Sequence, residues 1–229
     1  FSELVQHEAP VVEREALLRA HPEHYLAMLE RLQPQQGLAW ADPDTALNEF
    51  TLDAAARAAG AATAAVRAVM SGSLTNAFCA VRPPGHHAEY ARVMGFCFYN
   101  NVAVGVHEAL AAGLERVAVI DFDVHHGNGT VDIFMEDPRV LVCSSFQHPF
   151  YPYRMFDVDR PNIVNTPLDE GCAGAEFRRS VEAGWLKRLD AHAPQLLFVS
   201  AGFDAHARDP LGGLELHEAD FRWVTELAA

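Results

Sequence analysis

Val117-Ala118-Val119-Ile120 runs directly into Asp121-Phe122-Asp123-Val124-His125-His126-Gly127-Asn128-Gly129-Thr130. The apolar run is short and β-branched, which reads as a strand buried on both faces. Carboxylates and imidazoles crowded at the tip of such a strand are costly to desolvate, so they need partners or a metal. Alternation along an extended chain puts Asp121, Asp123 and His125 on one side. That side can offer an oxygen and a nitrogen to one cation.

The rest of the chain supplies the cover. Residues 13–19, 22–32, 51–70, 100–112, 130–135, 176–190 and 219–227 read as helices by apolar spacing, Ala content and end signals. Residues 76–81, 117–122, 140–144 and 196–200 read as strands, and 33–48 as a loop. Strands alternating with helices predict an α/β fold of three αβα layers, with a mainly parallel central sheet and helices on both faces. No linker or composition shift divides residues 1–229, so one domain is expected.

Ligands in such sheets bind beyond the carboxyl ends of the strands. Each expected strand is followed there by polar residues. They are Arg82-Pro83-Pro84-Gly85-His86-His87, then Asp121, Asp123 and His125, then Ser144 and Ser145, then Gly202 and Asp204. A catalytic zinc takes three protein ligands and keeps a position open. Asp123, His125 and Asp204 meet that need. One of His86 and His87 can serve as general base and then general acid. Asp121 and Asn128 are available to orient them, one adding charge and one not, so the two imidazoles can be tuned apart. His126 reads as structural. The helix and surface histidines read as solvated or satisfied, and His148 and His206 stay unassigned. A Gly-x-Ser-x-Gly elbow, a phosphate loop and a dinucleotide fingerprint are all missing.

The net charge of −14 argues against nucleic acid as a partner. It suits solubility and is compatible with cationic substrates. No apolar stretch is long enough for a bilayer, so no membrane partner is expected. Four widely spaced cysteines, without a Cys-x-x-Cys pair, predict free thiols in a reducing, cytoplasmic setting. The opening Phe1-Ser2-Glu3 and the closing Glu226-Leu227-Ala228-Ala229 suggest that the natural chain extends beyond both ends.

Four stretches carry a resemblance. They are Arg82-Pro83-Pro84-Gly85-His86-His87-Ala88, Gly95-Phe96-Cys97-Phe98-Tyr99-Asn100-Asn101, residues 121–130, and Ser200-Ala201-Gly202-Phe203-Asp204-Ala205-His206. In this order the chain resembles the histone deacetylase-like amidohydrolases, of the arginase/deacetylase superfamily. Asn128 points to the class II branch and its bacterial members. The resemblance implies the arginase/deacetylase fold and a zinc on Asp123, His125 and Asp204. It implies His86 paired with Asp121, and His87 paired with Asn128 as main proton shuttle. It implies Phe96 and Tyr151 as tunnel walls and the Gly95 carbonyl facing the acyl chain. It also implies potassium at the backbone of Asp121, Asp123 and His125 with Ser144.

The implied reaction is amide hydrolysis on an acetylated lysine peptide or protein, or on an acetylated polyamine, in a possible homo-oligomer. Two departures stand out. The family's oxyanion-stabilising Tyr, replaced by His in some class II members, would lie past Ala229. Tyr151-Pro152-Tyr153-Arg154-Met155 also lacks the glycine expected next. Two further readings are a zinc-holding acyl-lysine binding module with weak turnover and a binuclear ureohydrolase. The latter needs an Asp-x-His-x-Asp spacing, which His126-Gly127 interrupts.

Overall fold

A computed structural model describes residues 4–228. The chain divides into two compact units, Phe1–Ala112 and Gly113–Ala229.

The first unit is mostly helical. Helices α1 (Arg14–Ala20) and α2 (Glu23–Leu32) lead into a hairpin of β1 (Ala39–Asp42) and β2 (Thr45–Leu47). The 33–48 stretch was expected to be all loop. Its strands are too short for periodicity to register, and the Asp42-Pro43-Asp44-Thr45 turn chemistry dominates the segment. Helix α3 (Thr51–Met70) follows, and α4 (Asn101–Ala111) packs along it. Asn100 caps α4, its Oδ1 accepting from the Ala103 amide at 3.0 Å. Gly60 is obligatory on α3, because a side chain there would overlap the Pro10 carbonyl. Residues 76–81, expected as a strand, form no ladder, and 76–80 are exposed. Apolar content makes a strand only where a neighbour accepts its hydrogen bonds.

The second unit is built on a four-stranded, all-parallel sheet in the order β5-β4-β3-β6. Its strands are β3 (Val117–Asp121), β4 (Val140–Gln147), β5 (Ile163–Leu168) and β6 (Leu196–Ser200). Helix α5 (Asn128–Phe134) joins β3 to β4 and packs on β4. Helix α6 (Gly174–Val181) continues through a π-helical turn, Glu182–Leu186, into α7 (Lys187–His192), and α8 (Glu218–Ala228) closes the unit. Every residue of β3 and β4 is buried, which requires cover on both faces. On one side Phe177, Val181, Trp185, Phe221 and Val224 pack with Ala118, Ile120, Leu141 and Cys143. β5 escaped the pattern because Asn165, Thr166 and Pro167 interrupt its apolar run. An edge position tolerates that proline.

All four cysteines are free thiols. Burial pushes the Cys143 thiol up to about 12, so it stays protonated and inert. Among the described residues, no helix is long and apolar enough to cross a membrane.

Candidate metal centre

β3 lies between β4 and β6, with Asp121 in register with Ser144 on one side and Ser200 on the other. Because the strands are parallel, their carboxyl ends share one edge. The chain beyond β3 therefore delivers Asp123 and His125 beside the Asp204 that follows β6.

The three side chains meet. His125 Nδ1 lies 2.9 Å from Asp123 Oδ1 and 3.1 Å from Asp204 Oδ2. Ligand atoms of all three fall within 4.8 Å of one another. Backbone amides fix the carboxylates. The His125 N–H donates to Asp123 Oδ1 at 2.8 Å, the Val124 N–H to Asp204 Oδ1 at 3.0 Å, and the Asp123 N–H to Asp121 Oδ1 at 3.1 Å. Burial by itself would push the His125 imidazole down. The hydrogen bonds and charges of Asp123 and Asp204 outweigh it and hold the group up at about 10. Two carboxylates this close demand positive charge between them.

Aromatic rings wall the trio. Phe150 stacks on the His125 ring with centroids 5.2 Å apart, and Tyr151 meets it edge-on at 5.9 Å. Gly202 lets the backbone after β6 pass against Asp123, since a side chain there would overlap the carboxylate. Phe150 carries no sequence signal beyond its place before Tyr151, and the reading of the sequence missed it. The steric role of Gly202 was equally hidden, although its position after β6 was noted.

The remaining expected residues fall into both units. In the second, Asp121 ends β3, Asn128 opens α5, and both are buried. Ser144 is fully buried on β4, and its Oγ accepts from the Gly127 N–H at 3.4 Å. In the first, His86 and His87 are buried with ring centroids 4.0 Å apart. Gly95 lies against the His87 ring so closely that a side chain would overlap it. Phe96 follows, largely exposed. His126 is structural. Its Nε2 donates to Asn165 Oδ1 at 2.9 Å, and Asn165 in turn donates to the Met155 and Phe156 carbonyls.

A second trio, His206, His217 and Glu218, also has closely spaced ligand atoms. Here the Arg208 amide donates to His206 Nδ1 at 3.0 Å, which leaves the ring proton on Nε2. The Arg208 guanidinium lies 3.1 Å from Glu218 Oε1. In this trio a cation side chain already lies against the carboxylate. Unlike that trio, the Asp123/His125/Asp204 set has the donor chemistry of a divalent-cation site: hard oxygens, one imidazole and fixed carboxylates.

A parallel α/β sheet with two carboxylates and an imidazole gathered at its carboxyl edge defines the class: an α/β protein with three side chains at the strand tips that could hold a metal ion. The histone deacetylase domain matches the chain over residues 1–229, and the chain belongs to that family. It is 42% identical over 205 residues to type-2 histone deacetylase 2 of Dictyostelium discoideum, covering 80% of this chain and 12% of that protein. It is 38% identical over 227 residues to the histone deacetylase-like amidohydrolase of Pseudomonas aeruginosa, covering 96% and 60%. The chain thus spans less than two thirds of the length of each of these two relatives, 12% of one and 60% of the other. Among solved structures, the HD domain of HDA15 superposes with a TM-score of 0.92 at 32% identity, covering 97% of this chain and 66% of that one. An acetylpolyamine aminohydrolase from Burkholderia pseudomallei superposes with a TM-score of 0.86 at 29% identity, covering 96% and 75%. These neighbours share the three-layer α/β fold of the arginase/deacetylase type.

Proposed function

We propose that this chain is the hydrolytic core of a zinc-dependent deacetylase, which cleaves the amide of an N-acetylated lysine or another acetylated amine. One observation carries the reading: ligand atoms of Asp123, His125 and Asp204, from two neighbouring strand tips, lie within 4.8 Å of one another. Two carboxylates and an imidazole form a three-ligand set of the kind that leaves zinc a position for substrate. When bound, zinc supplies Lewis acidity that polarises the amide carbonyl and makes water nucleophilic near neutral pH.

The protein's own groups do the rest. His87 takes a proton from the attacking water and returns one to the leaving amine nitrogen. Asn128, an amide, can orient an imidazole without adding charge, whereas Asp121, a carboxylate, would favour the charged form of the imidazole it orients. Phe96 in the first unit is assigned to the acyl-chain wall, as is Tyr151 in the second, and the Gly95 carbonyl is assigned to face that chain. Potassium is assigned to the backbone of Asp121, Asp123 and His125 with Ser144. The burial of Ser144 and its register beside Asp121 support this.

An acetylpolyamine substrate is the second reading, favoured by the likeness to the Burkholderia acetylpolyamine aminohydrolase. The test is hydrolysis by the full-length protein of acetyl-lysine peptides and N-acetylated polyamines, before and after chelation. Loss on chelation and recovery with zinc are expected, and the better substrate decides between the two readings. Hydrolysis that persists in fully metal-free protein overturns the zinc assignment. Two manganese ions per chain by elemental analysis would instead favour a binuclear ureohydrolase.

A further inference from the structure

We infer that Asp44 and Thr45, on the β1–β2 hairpin, are positioning residues that lock the Gly95-Phe96 turn, and through it the substrate-facing Phe96 ring and the back of His87. The inference rests on the assignment of Phe96 to the acyl-chain wall.

The turn spans Met94 to Cys97, with the Cys97 N–H donating to the Met94 carbonyl at 3.0 Å. Its two central residues, Gly95 and Phe96, have φ of 56° and 63°. Positive φ at both central positions makes a type I′ turn, which favours Asn and Gly. Phenylalanine at the second position is strained, and the residue is 62% exposed, so burial does little to offset the strain. The ring instead lines a hollow of about 360 Å³ with Phe50, Phe98, Pro83 and Pro84.

The hairpin holds this turn from outside. Gly95 N–H donates to Asp44 Oδ1 at 3.1 Å, and Phe96 N–H donates to Thr45 Oγ1 at 3.0 Å. The Thr45 hydroxyl spends its own proton on Asp44 Oδ1 at 2.6 Å, which leaves an oxygen lone pair for Phe96. Thr45 is fully buried, so its hydroxyl has a fixed place. Two successive amides are thus captured by two successive hairpin residues. The Cys97 thiol also donates to the Gly95 carbonyl at 3.2 Å. Strained backbone under an exposed aromatic, upheld by dedicated partners, points to a group held in place for binding.

The test uses zinc-loaded full-length protein and two probes, acetohydroxamate and octanohydroxamate. Thr45→Val and Asp44→Ala each remove the Thr45–Asp44 hydrogen bond and one hydrogen bond to the turn, and each should weaken octanohydroxamate binding by about tenfold. Acetohydroxamate affinity and zinc content should stay at wild-type levels. Thr45→Ser, which keeps the hydroxyl, should restore octanohydroxamate binding. In turnover, KM for long-chain acyl substrates should rise more than kcat falls. Asp44 is only half-buried, so Asp44→Ala carries the test if Thr45→Val fails to fold. Equal binding of both probes by variants and wild type, or an equal loss of both, overturns the inference. Wild-type protein that binds neither probe overturns the deacetylase reading itself.

Discussion

Gly202 and Asp123 pack so tightly that any side chain at residue 202 would occupy the volume of the Asp123 carboxylate. The glycine is there because the chain leaving β6 must pass beside the chain leaving β3. Gly202→Ala should therefore swing Asp123 away from His125 and Asp204. Zinc affinity should fall on the order of 10- to 100-fold, as it does when an outer partner of a ligand is disturbed. Zinc retained after dialysis against graded chelator measures it, and unchanged retention would show that the backbone relaxes without moving the ligand.

Asp204 is held at both oxygens, one by the Val124 amide and one by His125. Asp204→Ala should abolish stoichiometric zinc binding, and amide hydrolysis with it, while the sheet stays folded. Elemental analysis together with circular dichroism separates the two effects. A zinc-replete, active Asp204→Ala protein would remove Asp204 from the ligand set.

His21 gives the first unit an acid-sensitive joint. Its Nε2 accepts from the Asn100 N–H at 2.9 Å, and its Nδ1 donates to the Tyr90 carbonyl at 3.0 Å. The ring is fully buried, and burial pulls its pKa down to about 4 from 6.5. The unfolded chain therefore binds the proton first as pH falls. Stability from this group is present above about 6.5 and is lost on acidification toward about 4, by roughly 3 kcal/mol at most. Urea titrations across this range should show the slope, and His21→Gln should flatten it.

Trp185 is the largest fully buried side chain of the second unit. Its Nε1 donates to Thr166 Oγ1 on β5 at 3.0 Å. Trp185→Ala opens a cavity and strands a buried hydroxyl, so a loss of about 3–5 kcal/mol is expected. Trp185→Phe keeps most of the volume and should lose less. The two denaturation midpoints, compared at equal m-values, check the order.

Periodicity and composition were enough for the helices and for three of the four sheet strands, β3, β4 and β6. Helix α3 and strand β6 fall on the expected residues, because a long Ala-rich amphipathic run and a bounded apolar run each admit one local reading. Local pattern failed where pairing decides. Residues 76–81 are apolar but unpaired, the β1–β2 hairpin is too short to register, and β5 is polar enough to pass for loop.

The candidate site divides the same way. Asp123 and His125 were legible because carboxylate and imidazole at a buried strand tip have a desolvation cost that only partners or a cation can offset. Their meeting with Asp204, some eighty positions along the chain, depends on β3 and β6 being parallel neighbours, which no local spacing encodes. Tertiary packing alone decided that Phe150 stacks on His125, that Gly202 yields space to Asp123, and that Asp44 and Thr45 clasp the Gly95-Phe96 turn. Residue type sets which chemistry is possible at a position. Proximity between distant residues comes from strand pairing and close packing, which belong to the whole fold.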